Sequence, residues 1–188
     1  PASSYRWYAG MDVGVVDDLQ KAAENDTDYS AIAATAYNHS TDRGYVVGLT
    51  RKRGLSVKGN ADWAQDWLED LATEYEITFD DVLVEANKAP GVAQRLRDDT
   101  SLPARPVEST GGKEGRLHDL SAEFESGDLR IVGASTDEAW REFETQEWLQ
   151  FPNAAHDDRL DSIELSHRPT ASNGGGLTQS EHDLGEVF

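Results

Sequence analysis

Five carboxylates stand where local rules disfavour them. Asp12 interrupts the apolar run WYAGMDVGVV, 7–16, and Glu85 interrupts DVLVEAN, 81–87. A carboxylate inside a strand covered on both faces costs several kcal/mol unless it is paired or binds a cation. The other three, Asp157, Asp158 and Asp161, crowd the first turn of a helical stretch, HDDRLDSIELSHR, 156–168. The helix dipole favours one or two acids there. Three, with Asp158 and Asp161 one turn apart on one face, ask for a cation or a heavily solvated end.

Each acid has a plain structural alternative: a satisfied ion pair, a strand-end group in water, or, for Asp161, a pair with Arg159 or Arg168. Taken together they suit a hard divalent cation, because Mg²⁺ and Mn²⁺ take oxygen ligands. Two such ions, about 3.5–4 Å apart, can clamp the attacking and leaving oxygens of a phosphoryl displacement. The catalytic candidates are therefore Asp12, Glu85 and Asp158, and the ligand candidates are Asp12, Glu85, Asp157, Asp158 and Asp161. Asp12 is the expected bridge, with Glu85 on one ion and the His156–Asp157–Asp158 turn on the other. Asp158 ranks ahead of Asp157, and Asp157 ahead of Asp161. His156 either steers water or phosphate or is a polar residue near a helix cap.

The elements that must position these groups follow from periodicity. Residues 7–16, 28–38 and 44–53 read as strands with short connections, hence an antiparallel meander. Asn60 is the expected N-cap of a helix carrying Trp63, Trp67, Leu71 and Tyr75 at helical spacing. Residues 81–87 read as a strand, 91–99 as a helix, 104–109 as a strand, and 113–127 as a helix closed by Gly127. Residues 129–132 form a brief strand. A helix over 135–151 opens on a Ser135–Glu138 capping box and stops at Pro152. The expected fold is α/β: a mixed sheet of about five strands, order 3-2-1-4-5, with helices on both faces. That order sets Asp12 beside Glu85. Residues 1–168 make the domain, and the Gly/Ser/Asn-rich stretch 169–188 reads as a flexible tail or linker.

Composition narrows the classes. A chain of 188 residues is one domain with room for a core, and the lack of Cys excludes disulfides and thiolate zinc sites. No apolar run is long enough for a membrane span, and no signal peptide is visible. Acids outnumber bases 36 to 17, giving a formal net charge of −19 spread along the chain. A folded, Lys-poor, evenly acidic surface suggests a high-salt cytoplasm, where screening over roughly 3 Å at 1 M removes most self-repulsion.

The segments GMDVG…DYSA, VLVEAN, TGGKEGRL…FESGDLRIV and EWLQFPNAAHDDRLDSIEL resemble the nuclease domain of viral terminase large subunits, the DNA-packaging motors of tailed phages. The resemblance spans about 7–167. It implies a ribonuclease H-like fold and an endonuclease that cuts concatemeric double-stranded DNA with two divalent cations, Mg²⁺ or Mn²⁺, and little sequence preference. Asp12 falls on the first-strand Asp, Glu85 on the fourth-strand acid, Asp157–Asp158 on the final pair, and Lys113 on a basic position after the fifth strand. The acidic insertion Asp17–Thr27 and Ser162, in place of the usual Ala, depart from the pattern. The family also implies an ATPase domain N-terminal in the same polypeptide, portal and small terminase subunits as partners, and the host cytoplasm as location. A P-loop is absent: STGGKEGR lacks its spacing and its hydroxyl. The chain is thus expected to be the nuclease piece of a longer terminase.

DNA contacts are expected from Arg51, Lys52 and Arg53 at the end of the third strand, and from Lys113 and Arg116; a solvated face is the bland alternative. Two other functions compete with packaging. One is a junction resolvase- or transposase-like nuclease of the same fold. The other is a non-enzymatic acidic interaction domain from a halophile. A glycosidase pairing Asp12 with Glu85 lacks the aromatic cleft such sites need, since the Trp residues sit at core spacing.

Overall fold

The computed structural model describes residues 4–15, 29–85, 89–108, 112–132 and 138–174, with side chains through Arg168. Strands β1 (Tyr5–Asp12), β2 (Tyr29–Asn38) and β3 (Arg43–Arg53) form the expected antiparallel meander. Helix α1 (Val57–Tyr75) leads to β4 (Asp81–Glu85), α2 (Pro90–Asp99) and β5 (Ala104–Val107). Then come α3 (Lys113–Ser126), β6 (Leu129–Ile131), α4 (Glu138–Gln146), a 3₁₀ turn (Trp148–Gln150) and α5 (Asp158–Gly174).

The sheet order is β5-β4-β1-β2-β3-β6. The expected five-strand order survives intact, and the brief strand at 129–131 adds a sixth at the far edge, parallel to β3. β4 runs parallel to both β1 and β5. The sheet is covered on both faces. Trp7, Ala9 and Met11 of β1 point to one side, where Ala61, Ala64 and Leu68 of α1 and Val92 and Leu96 of α2 close a core. On the other side Ala33, Val46 and Leu49 meet Leu117 and Leu120 of α3, Phe143 of α4, and Leu160 and Ile163 of α5.

Strand alternation sends Gly10 and Asp12 to the α5 side. A Cβ placed on Gly10 would lie 2.3 Å from the Ser162 carbonyl oxygen and the Ser166 amide nitrogen, and 2.6 Å from Leu165 Cβ. Only a residue without a side chain lets α5 lie this close to β1. The alanine-rich β2, buried from Ser30 to Tyr37, extends that close seat, with Thr35 Oγ1 2.7 Å from Ser166 Oγ.

Several expectations move. Strand β1 ends at Asp12, so that acid is the terminal residue of its strand rather than an interior one; β4 is described as far as Glu85, and residues 86–87 of the expected strand lie outside the described residues. Asn60 is not the cap of α1. Ser56 is, its side chain accepting a bond from the Gly59 amide. Asn60 lies in the first turn, fully buried, and donates its amide to the Gly14 carbonyl at 3.1 Å. The capping box fails to be tested, because Ser135 lies outside the described residues, as does the insertion 17–27. Helix α4 stops at Gln146, and the 3₁₀ turn carries the chain to Pro152. The backbone of α5 stays helical past Arg168 to Gly174, into the stretch expected as tail; residues 175–188 lie outside the described set. Gly127 does close α3, at φ 77°. Among the described residues no helix is long and apolar enough to cross a membrane.

Candidate metal centre

The parallel pairing of β1 with β4 matches Met11 with Val84, which brings the next residues, Asp12 and Glu85, side by side. Both sit at the carboxyl ends of their strands, where open α/β sheets place their sites. The close seat of α5 on Gly10 swings the first turn of that helix over the same spot. Asp12, Asp158 and Asp161 are buried, at 5, 8 and 9% exposure; Glu85 and Asp157 are half-buried.

The electrostatics record this crowding. The Asp12 carboxyl is held well above the usual carboxylate range, first by burial, then by a hydrogen bond with Glu85, then by the charges of Asp161, Glu85 and Asp158. Asp158 is pushed up to about 6 by burial and by the Glu147 charge. Burial also raises Asp161, against the pull of Lys113. Lys113 Nζ bridges the cluster, 2.7 Å from Asp157 Oδ1 and 2.6 Å from Asp161 Oδ2. Burial opposes its charge, yet its bonds to Asp157 and Asp161 outweigh that and keep it raised.

Among the described residues no three acidic or histidine side chains already converge as a ready set of ion ligands. The reason is local pairing: Asp12 is bonded to Glu85, and Asp157 and Asp161 are drawn to Lys113. The donor set still fits a hard divalent cation. It is all carboxylate oxygen, and two buried oxygens, Asp158 Oδ2 and Asp161 Oδ1, have no hydrogen-bond partner among the described residues. Their nearest basic neighbours stand beyond hydrogen-bond reach, His156 Nδ1 at 3.9 Å from Asp158 Oδ2 and Arg116 Nη2 at 3.9 Å from Asp161 Oδ1.

Beneath the first turn of α5 lies a second charged cluster, unforeseen from sequence. Glu147, fully buried, accepts from the Arg159 amide at 3.0 Å and from Arg159 Nε at 2.5 Å. It also accepts from Arg51 Nη1 at 3.0 Å. Glu147 thus satisfies an N-terminal amide of α5 in the manner of a cap, from 12 residues upstream. Arg159 is 1% exposed, donates to the Ala139 carbonyl and lies 5.9 Å from the Phe143 ring centre.

The expected basic residues divide accordingly. Arg51 turns inward, to Glu147, Glu142 and Gln146. Lys52 and Arg53 are exposed. Lys113 belongs to the carboxylate cluster, and Arg116 faces Glu164 and Asp161. Asp161 pairs with Lys113, and Arg168 takes Glu164. Arg53 Nη2 lies 3.0 Å from His156 Nε2. A guanidinium cannot accept, so Nε2 is the acceptor and the proton of the neutral ring sits on Nδ1, toward Asp158.

No protein-family model matches the chain, and no curated protein matches it in sequence. Solved structures do share its fold. The human cytomegalovirus terminase nuclease domain aligns at a TM-score of 0.60 and 12% identity, covering 89% of this chain and 85% of that one. The large terminase nuclease domain of bacteriophage SPP1, with bound Mn, aligns at 0.54 and 16% identity, covering 89% and 88%. The large terminase nuclease of thermophilic phage G20c, with bound cobalt, aligns at 0.56 and 16%, covering 88% and 82%. The chain has the ribonuclease H-like fold of these domains.

Proposed function

We propose that this chain is a divalent-metal-dependent endonuclease acting on double-stranded viral DNA during genome packaging, the nuclease part of a terminase large subunit. The observation that carries the reading is the gathering of Asp12, Glu85, Asp158 and Asp161, from three distant segments, at the carboxyl ends of two parallel strands. Nuclease domains of the same fold that hold Mn or cobalt add support.

In this reading Asp12 with Glu85 would hold one Mg²⁺ or Mn²⁺, and Asp158, with Asp161 and Asp157, would hold a second. Bound cations supply charge neutralisation at the scissile phosphate and a more acidic water. The chain's own groups do the rest. The hydrogen bond that now joins Asp12 and Glu85 would give place to a cation between them. Lys113 releases Asp157 and Asp161 and stays within reach of a phosphate oxygen. His156 presents its Nδ1 proton beside Asp158. Lys52 and Arg53, exposed at the end of β3, meet the backbone of the duplex without reading bases, which favours cutting with little sequence preference. An ATPase domain of the same polypeptide, the portal and a small terminase subunit complete the proposed machine.

The test is digestion of supercoiled plasmid with Mn²⁺, in low and in molar salt, comparing wild type with Asp12→Ala. Wild type nicks and linearises; the variant loses at least about 10³-fold, the scale of removing a metal's charge stabilisation. Equal activity in both, or preference for four-way junctions over linear duplex, would discard the reading.

A further inference from the structure

Beside the carboxylates, on the far side of His156, lies a cleft of about 400 Å³, within the range of roughly 300–1,000 Å³ typical of ligand sites. Its lining includes Arg51, Gln146, Gln150, Asn153 and His156, with two alanines, and none of its lining residues is acidic. That is unusual in a chain with 36 acids and 17 bases. The Gln150 and Asn153 amides, with Arg53 beside them, offer donors to an anion with polar oxygens, while the Arg51 guanidinium is already engaged by Glu147 and Glu142. Arg53 stands next to it through its bond to His156. The Tyr29 ring braces the group: Arg53 Cζ lies 3.9 Å and Arg51 Cζ 4.2 Å from its centre, and His156 meets it edge-on at 5.1 Å.

We infer that this cleft binds the DNA backbone at a phosphate flanking the scissile one, with Gln150, Asn153 and Arg53 as its donors. The inference rests on the nuclease reading and adds a substrate subsite to it. His156 is the link. It lines the cleft on one side and stands 3.9 Å from Asp158 on the other, so a strand seated in the cleft runs directly on to the carboxylates. Arg51 contributes mainly by holding the floor in place, since its own bonds go to Glu147, Glu142 and Gln146. A strand held here has a fixed register against the cutting site without any base being read.

Gln150 and Asn153 are both exposed, so Gln150→Glu with Asn153→Asp changes charge and little else. The expected result is a rise in KM for a short linear duplex of roughly tenfold, with kcat within about twofold, because like charge faces the backbone. Duplex affinity in Ca²⁺, read by fluorescence anisotropy, falls by the same factor, while Mn²⁺ affinity and melting temperature stay as in wild type. Gln150→Lys tightens binding and steepens log Kd against log salt by about one. If wild type cuts and the acidic double variant keeps its KM and its duplex affinity, the subsite is wrong and the nuclease reading stands. A fall in kcat alone would overturn the subsite too. If wild type binds duplex but does not cut, the nuclease reading fails and the anisotropy contrast alone decides the cleft. If wild type binds no duplex, both fall.

Discussion

Two clusters of buried charge meet at the first turn of α5, and they are built on opposite principles. In the lower one, both Glu147 oxygens are used: one accepts from Arg51 and Arg159 side chains, the other from the Arg159 amide. One nitrogen there, Arg159 Nη2, lacks a hydrogen bond among the described residues. In the upper one, acids outnumber their cations. Asp157 and Asp161 meet Lys113, Asp12 meets Glu85, Asp158 stands beside them with Arg116 at the margin, and two buried oxygens lack a hydrogen bond among the described residues. A matched buried cluster holds a backbone in place. An unmatched one stores repulsion that a cation relieves, and functional sites are where such violations persist.

The contrast breaks most visibly at Glu147. Replacing it with Ala strands Arg159 in the core and uncaps α5, which should cost about 3–5 kcal/mol by chemical denaturation. Arg51→Ala should lower the melting temperature in the same direction, whereas Lys52→Ala, at an exposed position, should leave it unchanged. An equal, small effect of Glu147→Ala and Lys52→Ala would show that the lower cluster is not structural.

The upper cluster should respond with the opposite sign. Asp158 rises from 3.8 to about 6 on folding, so in chelator its ionisation opposes the native state. The penalty is absent below pH about 4 and complete above about 6, and stability falls as pH rises through that window. Asp158→Asn should remove it, gaining up to about 3 kcal/mol at pH 7 and flattening the profile. Added Mn²⁺ should stabilise the variant less than wild type, because the Asp12–Glu85 pair remains. A variant less stable than wild type at pH 7 in chelator would contradict this.

Lys113 sharpens the comparison further down the scale. Its side chain is 42% exposed, so Lys113→Met should cost only about 1 kcal/mol in chelator. The shift in melting temperature caused by Mn²⁺ should then be larger than in wild type, because an ion replaces the missing ammonium. At the bottom lies Lys58, paired with Asp62 one helical turn on, at an exposed surface. Lys58→Ala should change stability by no more than about 0.5 kcal/mol, the value for an unburied pair.

The upper cluster was legible in the sequence and the lower one was not. Asp12 and Glu85 break apolar strand runs, and Asp157, Asp158 and Asp161 overload a helix start; such anomalies are local and can be read residue by residue. Parity along β1 gives the face of Asp12, and the meander gives its neighbours. Glu147 and Arg159, by contrast, look like ordinary surface charges on helical stretches. Their burial follows from the long-range packing of α4 and the 3₁₀ turn against α5, and Arg51 joins them from 91 or more residues away. No periodicity carries that information. Periodicity points to Asn60 as the cap of α1 because it precedes the helical repeat of Trp63 and Trp67, whereas Ser56, the actual cap, lies four residues before that repeat's own start signal. Burial turns Asn60 into a tie between α1 and the Gly14 carbonyl, just past β1.

The contact at Gly10 sets a limit on how this centre can change. Backbone meets backbone there, so no rotamer or side-chain swap in between can widen or narrow the gap. Even one methyl at that position would act as a wedge, tilting the helix that bears Asp158 and Asp161 away from the strand that bears Asp12. Adapting this scaffold to a larger ion would have to come from the loops around it, because its central spacer has no smaller or softer form to adopt.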